Sequence, residues 1–430
     1  MRLRRNSGTV IALQIQIDSR AFGGRESEVQ VTTEVLQPHT SAERQASQRA
    51  PDSSTAEMLP DRQLVEQFLR RGLTETPDFH AFWGYFVAAL TRDLSNVPNE
   101  DPALTTKLAL ASYLVAALAK NFYGGAAEEF YWQAGNLRQG VFRIAQDYGF
   151  DVMPAHFYSP VPQAKGLPAD LWTRDRDMPG VEVNVKKQLA LLATLARRFR
   201  REYEAFPARK PAGSPPHTYY LSNGYFDDID GYVLYSMVRQ FRPRRVIEIG
   251  SGNTTYLFAQ AIARNRKDDR RYRCDLTAIE PHPNDVLKAG FPGLTRLIAK
   301  PVQQVPLAEF QKLRKNDILF IDSSHILKIG SDVQYEILEI LPRLANGVLV
   351  HFHDIFLPNE YPRNWVEEMN RYFTEQYIVQ AFLAFNESFE VLLAPAYLHA
   401  RQPRAMEAAF QSYHRNQEWS PASFWIRRTG

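Results

Sequence analysis

Arg245-Val246-Ile247-Glu248-Ile249-Gly250-Ser251-Gly252-Asn253-Thr254-Thr255 is the stretch that decides how the rest of this 430-residue chain is read. Val246, Ile247 and Ile249 form a short apolar run of the kind that fills a buried parallel strand, and Gly250-Ser251-Gly252 ends it in a turn nearly free of side chains. Apolar and small residues then recur at helical spacing from Tyr256 to Ala263. Strand, bare turn and helix start make a βα crevice: the glycines let backbone approach a ligand, and the helix start offers free N–H groups. A dinucleotide fingerprint would need a third small residue where Thr255 stands. The Glu248 carboxylate would repel a diphosphate and suits a ligand with a cationic end.

Further strands follow in the same style. Leu276 to Glu280 reads as a strand ending in an acid, placed to accept hydrogen bonds from a ribose diol. Glu280 lies about thirty residues after the first glycine, against roughly 20 in the usual unit, and the charged stretch Arg264 to Arg273 accounts for the excess as a loop. Thr295 to Ala299, Asp317 to Asp322 and Gly347 to His353 read as three more strands, and Phe389 to Leu393 and Phe424 to Arg427 as closing ones. Helices are expected at Ile229 to Phe241, Asp332 to Leu344 and around Trp365 to Phe385. Seven strands alternating with helices predict an α/β, Rossmann-like, doubly wound sheet. Its ligand edge carries Glu248, Glu280, Asp322 and Asp354.

The pattern E-x-G-x-G followed by Thr254 resembles motif I of the class I S-adenosylmethionine-dependent methyltransferases, and Glu280 resembles their acidic ribose position. The resemblance, to a bacterial small-molecule O-methyltransferase branch, covers roughly Tyr219 to Arg428. It implies S-adenosylmethionine bound by Glu248, Gly250, Ser251, Gly252 and Glu280, with Val302 and Gln303 at the adenine by position only and Asp322 at the strand edge.

Two short runs, Asp322-Ser323-Ser324-His325 and His351-Phe352-His353-Asp354, place acids and imidazoles at neighbouring strand ends, a composition suited to moving a proton or binding a divalent metal. His351, deeper in its strand, reads as a core residue. The arrangement resembles metal-dependent catechol-type O-methyltransferases, which implies catalytic roles for His325 and His353 and a metal at Asp322, His353 and Asp354. Those relatives carry a lysine where His325 stands, and His353 replaces an oxygen ligand. Magnesium prefers oxygen, so manganese, another transition metal or no metal stays open.

The remaining chain divides by texture. Residues 1–58, rich in Ser, Thr, Gln, Arg and Glu, predict a disordered leader; 59–150 show helical periodicity. Residues 151–215 form a connecting segment with the aromatic, Pro-rich run Pro154 to Pro162 and an amphipathic helix from Asn184 to Tyr203; 216–430 form the methyltransferase domain. His156, Tyr158, Tyr225 and Asp227 are candidate substrate contacts, on segments able to line a mouth. A net charge of +3 does not point to nucleic acid, 44% hydrophobic residues suffice for a core, and the single cysteine, Cys274, excludes an internal disulfide framework. The longest apolar stretch, Leu108 to Ala119, is shorter than the roughly 18 residues of a membrane span, and the start lacks a cleavage pattern. The expectation is a cytoplasmic enzyme that methylates a small hydroxylated molecule or glycan, open to homo-oligomer formation, with no membrane partner. Two other readings compete: a metal-dependent oxygenase or hydrolase built on His-x-His-Asp, and a non-catalytic binding module that keeps the fold.

Overall fold

The computed structural model of the protein describes residues 2–4, 10–14, 32–36, 142–143, 146, 151, 153–163, 166–414 and 421–430. The chain divides into two compact units, 1–163 and 164–430. In the first, within the expected leader, the short strands β1 (Arg2–Arg4), β2 (Val10–Gln14) and β3 (Thr32–Leu36) pair antiparallel in the order β1-β2-β3. The remainder of the leader and nearly all of the expected helical region lie outside the described residues.

The second unit holds a seven-stranded sheet. Its strands are β4 (Arg245–Ile249), β5 (Asp275–Ile279), β6 (Arg296–Ile298), β7 (Ile318–Ile321), β8 (Leu349–Phe352), β9 (Phe389–Leu393) and β10 (Phe424–Arg428). They lie in the order β6-β5-β4-β7-β8-β10-β9, with only β10 antiparallel to its neighbours. The chain steps outward from β4 through β5 to β6 and then returns to the other side of β4, so the topological switch lies between β4 and β7, where such sheets bind ligands.

Alternation along the strands feeds two cores. Val246, Leu276, Ile318, Phe320 and Leu349 pack on one face, under α1 (Val185–Tyr203), α2 (Asp228–Phe241) and α3 (Asn253–Asp268). Ile247, Ile249, Leu319, Ile321, Val350 and Phe352 pack on the other. Burial on both faces is why these strands read as near-continuous apolar runs.

Two expected helices are shorter than their periodicity suggests. The stretch 332–344 begins as α4 (Asp332–Tyr335), widens into a π turn over Glu336–Ile340 and ends in a 3-10 turn at Leu341–Arg343. Pro342 has no N–H to continue the α ladder. The stretch 365–385 is broken into Arg363–Glu367 and α5 (Glu375–Leu383), with Asn370 left-handed at φ 55° in the break. That break frees Glu375 to start a helix of its own. Among the described residues no helix is long and apolar enough to cross a membrane.

Candidate active site

The strand ladder continues one residue past the end of four strands, which sets the level of the site. Gly250 N–H donates to Ile279 O at 3.0 Å, Glu280 N–H to Ile298 O at 3.1 Å, Asp322 N–H to Ile249 O at 2.9 Å and His353 N–H to Ile321 O at 3.0 Å. Residues called from four separate runs of sequence thus share one edge.

At β4 the turn is cut for a close approach. Gly250 has φ 78°, and a Cβ there would lie 1.8 Å from the backbone oxygen of Asp322. Bulk at Gly250 would therefore break the contact between β4 and β7. A Cβ on Gly252 meets nothing within 4 Å. Gly252 N–H donates to Thr255 Oγ1 at 3.0 Å, and that hydroxyl donates to Glu248 Oε2 at 2.6 Å.

Glu248 is fully buried beside the hydroxyls of Thr254, Thr255 and Ser251, and among the described residues nothing meets its Oε1 in good hydrogen-bond geometry. Burial pushes the Glu248 carboxyl up to about 8, so it is neutral at pH 7 rather than the standing carboxylate the sequence suggests. Glu280 accepts from Ser251 N–H at 3.2 Å and His282 N–H at 2.8 Å. Val302 is buried at the start of the 3-10 turn Val302–Gln304, and Gln303 donates to Gly330 O at 3.1 Å. An open glycine turn, an orphaned buried carboxyl and a second acid one strand away fit the adenosylmethionine that the resemblance implies.

Beside this turn lies a knot of acids and imidazoles. His325 Nε2 is 3.3 Å from Asp322 Oδ1 and 3.4 Å from Asp354 Oδ2; His353 Nδ1 is 3.4 Å from Asp322 Oδ1 and 3.5 Å from Asp354 Oδ1. The far nitrogens face acids too: His325 Nδ1 is 2.8 Å from Glu375 Oε2, and His353 Nε2 is 3.8 Å from Asp230 Oδ2. Burial alone would lower the pKa of both imidazoles, but Asp322, Glu375 and Asp354 around His325, and Asp322, Asp354 and Asp230 around His353, raise both well above the usual histidine value. Burial would raise Asp322, yet the two imidazoles hold it well below the usual carboxylate range.

The candidate metal ligands Asp322, His353 and Asp354 do meet, but the knot does not fit a metal. Among the described residues no group of three or more His, Cys, Asp or Glu is arranged to hold an ion. Each imidazole has both nitrogens turned to carboxylates, which favour its protonated form, whereas a histidine ligand must offer a lone pair. The positive charge at this edge comes from the imidazoles themselves.

His351 is fully buried, stacked on Phe320 at 4.0 Å with Nε2 3.0 Å from Ser423 Oγ, and burial holds its pKa well below the ordinary value. Loop 220–227 sits over the knot through Phe226, whose ring lies 4.7 Å from that of His353. Tyr225 is 82% exposed at its tip. Asp227 spends its carboxylate inside the loop, accepting from Asn223 and Gly224 N–H at 2.9 and 3.0 Å, and so shapes the loop that carries Tyr225. His156 and Tyr158, their rings 5.5 Å apart, belong to the other unit.

Sequence reasoning missed Asp230, Glu336 and Glu375, all buried. Asp230 accepts from Ala422 and Ser423 N–H at 2.9 and 3.0 Å, and Glu336 from Ser323 Oγ at 3.1 Å. A signal existed for Asp230, an acid inside the otherwise apolar run Ile229 to Val238. Glu375, in the first turn of its helix, reads as an ordinary terminal charge.

Parts of the chain are similar to known proteins. A family described as a methyltransferase domain matches residues 247–355. An uncharacterised protein of Archaeoglobus fulgidus is 30% identical over 182 residues, 41% of this chain and 79% of that one. Among solved structures, a putative methyltransferase from Thermobifida fusca covers 48% of this chain and 85% of its own at 12% identity and TM-score 0.30. A putative protein-L-isoaspartate O-methyltransferase from Plasmodium falciparum, in complex with S-adenosyl-L-homocysteine, covers 39% and 83% at 17% identity and TM-score 0.24. The chain belongs to the family of the Archaeoglobus fulgidus protein, and the strand edge described above lies in the segment that the methyltransferase-domain family matches.

Proposed function

We propose that the domain transfers a methyl group from S-adenosylmethionine to an oxygen of a small hydroxylated molecule or glycan. The observation that carries this reading is the contact between Gly250 and Asp322, which brings the open glycine turn against the acid–imidazole knot. Glu248, Gly250, Ser251, Gly252, Glu280, Val302, Gln303 and Asp322 hold the cofactor, which supplies an activated methyl on a sulfonium.

The chain then has little covalent chemistry to do: it aligns an oxygen nucleophile and removes one proton. His325 is the base. Charged in the free protein, it sheds its Nε2 proton when a cationic ligand occupies the same edge, because like charges at short range disfavour each other. The bared Nε2 then accepts the hydroxyl proton as the acceptor oxygen bonds the methyl and the carbon–sulfur bond breaks. His353 remains the counter-charge between Asp322 and Asp354, and Tyr225 stands at the mouth to meet the acceptor. No step passes through a metal.

The test is transfer of isotopically labelled methyl from S-adenosylmethionine to a panel of phenols, polyols and oligosaccharides, with the product bond identified by mass spectrometry. Labelled methyl ethers support the reading. Cofactor binding without transfer to any acceptor favours a binding module, and stoichiometric bound iron or zinc favours an oxygenase or hydrolase.

A further inference from the structure

We propose that Glu375 is a positioning residue for His325: its buried carboxylate holds the imidazole in the tautomer with hydrogen on Nδ1 and aims Nε2 at the acceptor. The proposal rests on the reading of His325 as the base.

Glu375 is fully buried, and Oε2 lies 2.8 Å from His325 Nδ1. A carboxylate accepts only, so the nitrogen it faces keeps its hydrogen and the other nitrogen is the one that releases and takes protons. The first turn of α5 also grips the main chain of the same histidine. Thr374 and Glu375 N–H donate to His325 O at 2.9 and 3.1 Å, and Leu327 N–H donates to Thr374 Oγ1 at 2.7 Å. His325 itself is left-handed at φ 61°, a conformation that costs a non-glycine residue energy and persists where surroundings impose it. The Phe373 ring, 4.8 Å away, packs against the imidazole. Backbone, ring face and ring nitrogen are thus all fixed by residues 373–375.

The charges around His325 leave this role to Glu375. Asp322 and Asp354 sit on the Nε2 side, where the acceptor must come, and His353 lies beyond them. Glu336, buried on the π turn, has its pKa raised by burial and by Glu375, and it hydrogen-bonds Ser323 rather than His325. Among the described residues Glu375 Oε1 has no partner, and His325 is the group this carboxylate meets. The arrangement follows the logic of an acid that orients a catalytic imidazole without itself contacting substrate.

Two variants separate orientation from charge. Glu375→Leu removes the acceptor; turnover should fall about a hundredfold or more, with S-adenosylhomocysteine affinity within twofold of the parent. Glu375→Gln can still accept the Nδ1 hydrogen through its amide oxygen and should lose about tenfold. In both, the acid limb of the pH–rate profile should move to lower pH, because a negative charge that favoured imidazolium is gone. Nitrogen-15 spectra of His325 supply a readout independent of any acceptor. On deprotonation, the parent and Glu375→Gln should keep hydrogen on Nδ1, while Glu375→Leu should populate the Nε2-protonated tautomer. An unchanged tautomer in Glu375→Leu overturns the proposal whether or not methyl transfer is ever seen, and so does a loss of turnover with an unmoved acid limb. Absence of transfer with the expected tautomer change leaves Glu375 as the orienting acid and sinks the methyl-transfer reading alone.

Discussion

Asp317 and Glu248 are buried carboxyls at opposite edges of adjacent strands, and they are served in opposite ways. Asp317, just before β7, accepts the N–H groups of Arg244 and Arg245 on Oδ1 and of Arg314 on Oδ2, each at 2.9 Å. Nearby, Arg239 is gripped by Glu202, Asp268 and Asn265. At the other edge Glu248 Oε1, Ser251 Oγ, Glu336 Oε1 and Glu375 Oε1 are buried without partners. A polar group left unmade in the interior costs free energy, so natural chains satisfy nearly all of them. These four atoms lie around the glycine turn and the knot, where a ligand would meet them, whereas Asp317 spends its carboxylate on the sheet itself.

A large expected effect falls on the edge that Asp317 serves. Asp317→Ala removes the acceptor of three main-chain donors and should lower unfolding stability by about 3 kcal/mol, measured by chemical denaturation, while turnover per folded molecule is unchanged. A stable Asp317→Ala protein would erase the distinction between the two edges.

His325→Ala should do the reverse, cutting turnover about a hundredfold with S-adenosylmethionine bound at least as tightly as in the parent. Its signature in stability is a pH dependence. The raised pKa of His325 means that its contribution is fully present below the unfolded value of roughly 6.5 and is lost as pH rises through the folded value. Removing the imidazole should therefore flatten the alkaline decline of the melting temperature. A parallel decline in both proteins would show that His325 carries no charge in the native state.

The two glycines sharpen the comparison at a smaller scale. Gly252→Val should weaken S-adenosylmethionine binding at least about tenfold, roughly 1.4 kcal/mol, in a protein that melts normally, because the new side chain enters open space. Gly250→Val should not fold, since its Cβ would drive into Asp322. Calorimetry and thermal melts on the pair distinguish ligand space from structural space. Unchanged affinity in Gly252→Val would remove the turn from the cofactor site.

How far the sequence could be read follows the same division. The sheet was legible because buried parallel strands are near-continuous apolar runs, and β4 to β10 fall within a residue or two of those runs. The strand-end acids and His325 were legible because they abut those runs. The knot they form was not, because Asp230, Glu336 and Glu375 come from helices, where a single acid carries no pattern. Nor could spacing reveal that Glu375 sits against His325, 50 residues earlier, or that carboxylates would surround both imidazoles and keep them charged. The resemblance left a metal open; the contacts place carboxylates at both nitrogens of each imidazole.

The smallest effect concerns Glu248 and tests whether its missing partner is the ligand. Thr255 donates to Oε2, so the proton that burial keeps on the carboxyl at neutral pH belongs to Oε1, which has no acceptor. A ligand with a cationic end is accommodated when that proton leaves, so binding and ionisation are linked. With a free-state pKa of about 8, a site that must ionise gains about fivefold in apparent affinity between pH 7 and 8 and levels off above about pH 9. Calorimetry in buffers of different ionisation enthalpy should count close to one more proton released at pH 7 by the parent than by Glu248→Gln, beyond the proton that His325 sheds in both, with a smaller difference at pH 9. Glu248→Gln should bind more weakly and lose this part of the pH dependence. A parent protein whose affinity is flat from pH 6 to 9 would mean that Glu248 stays protonated in the complex, and that its lone oxygen meets a hydrogen-bond acceptor on the ligand instead of a charge.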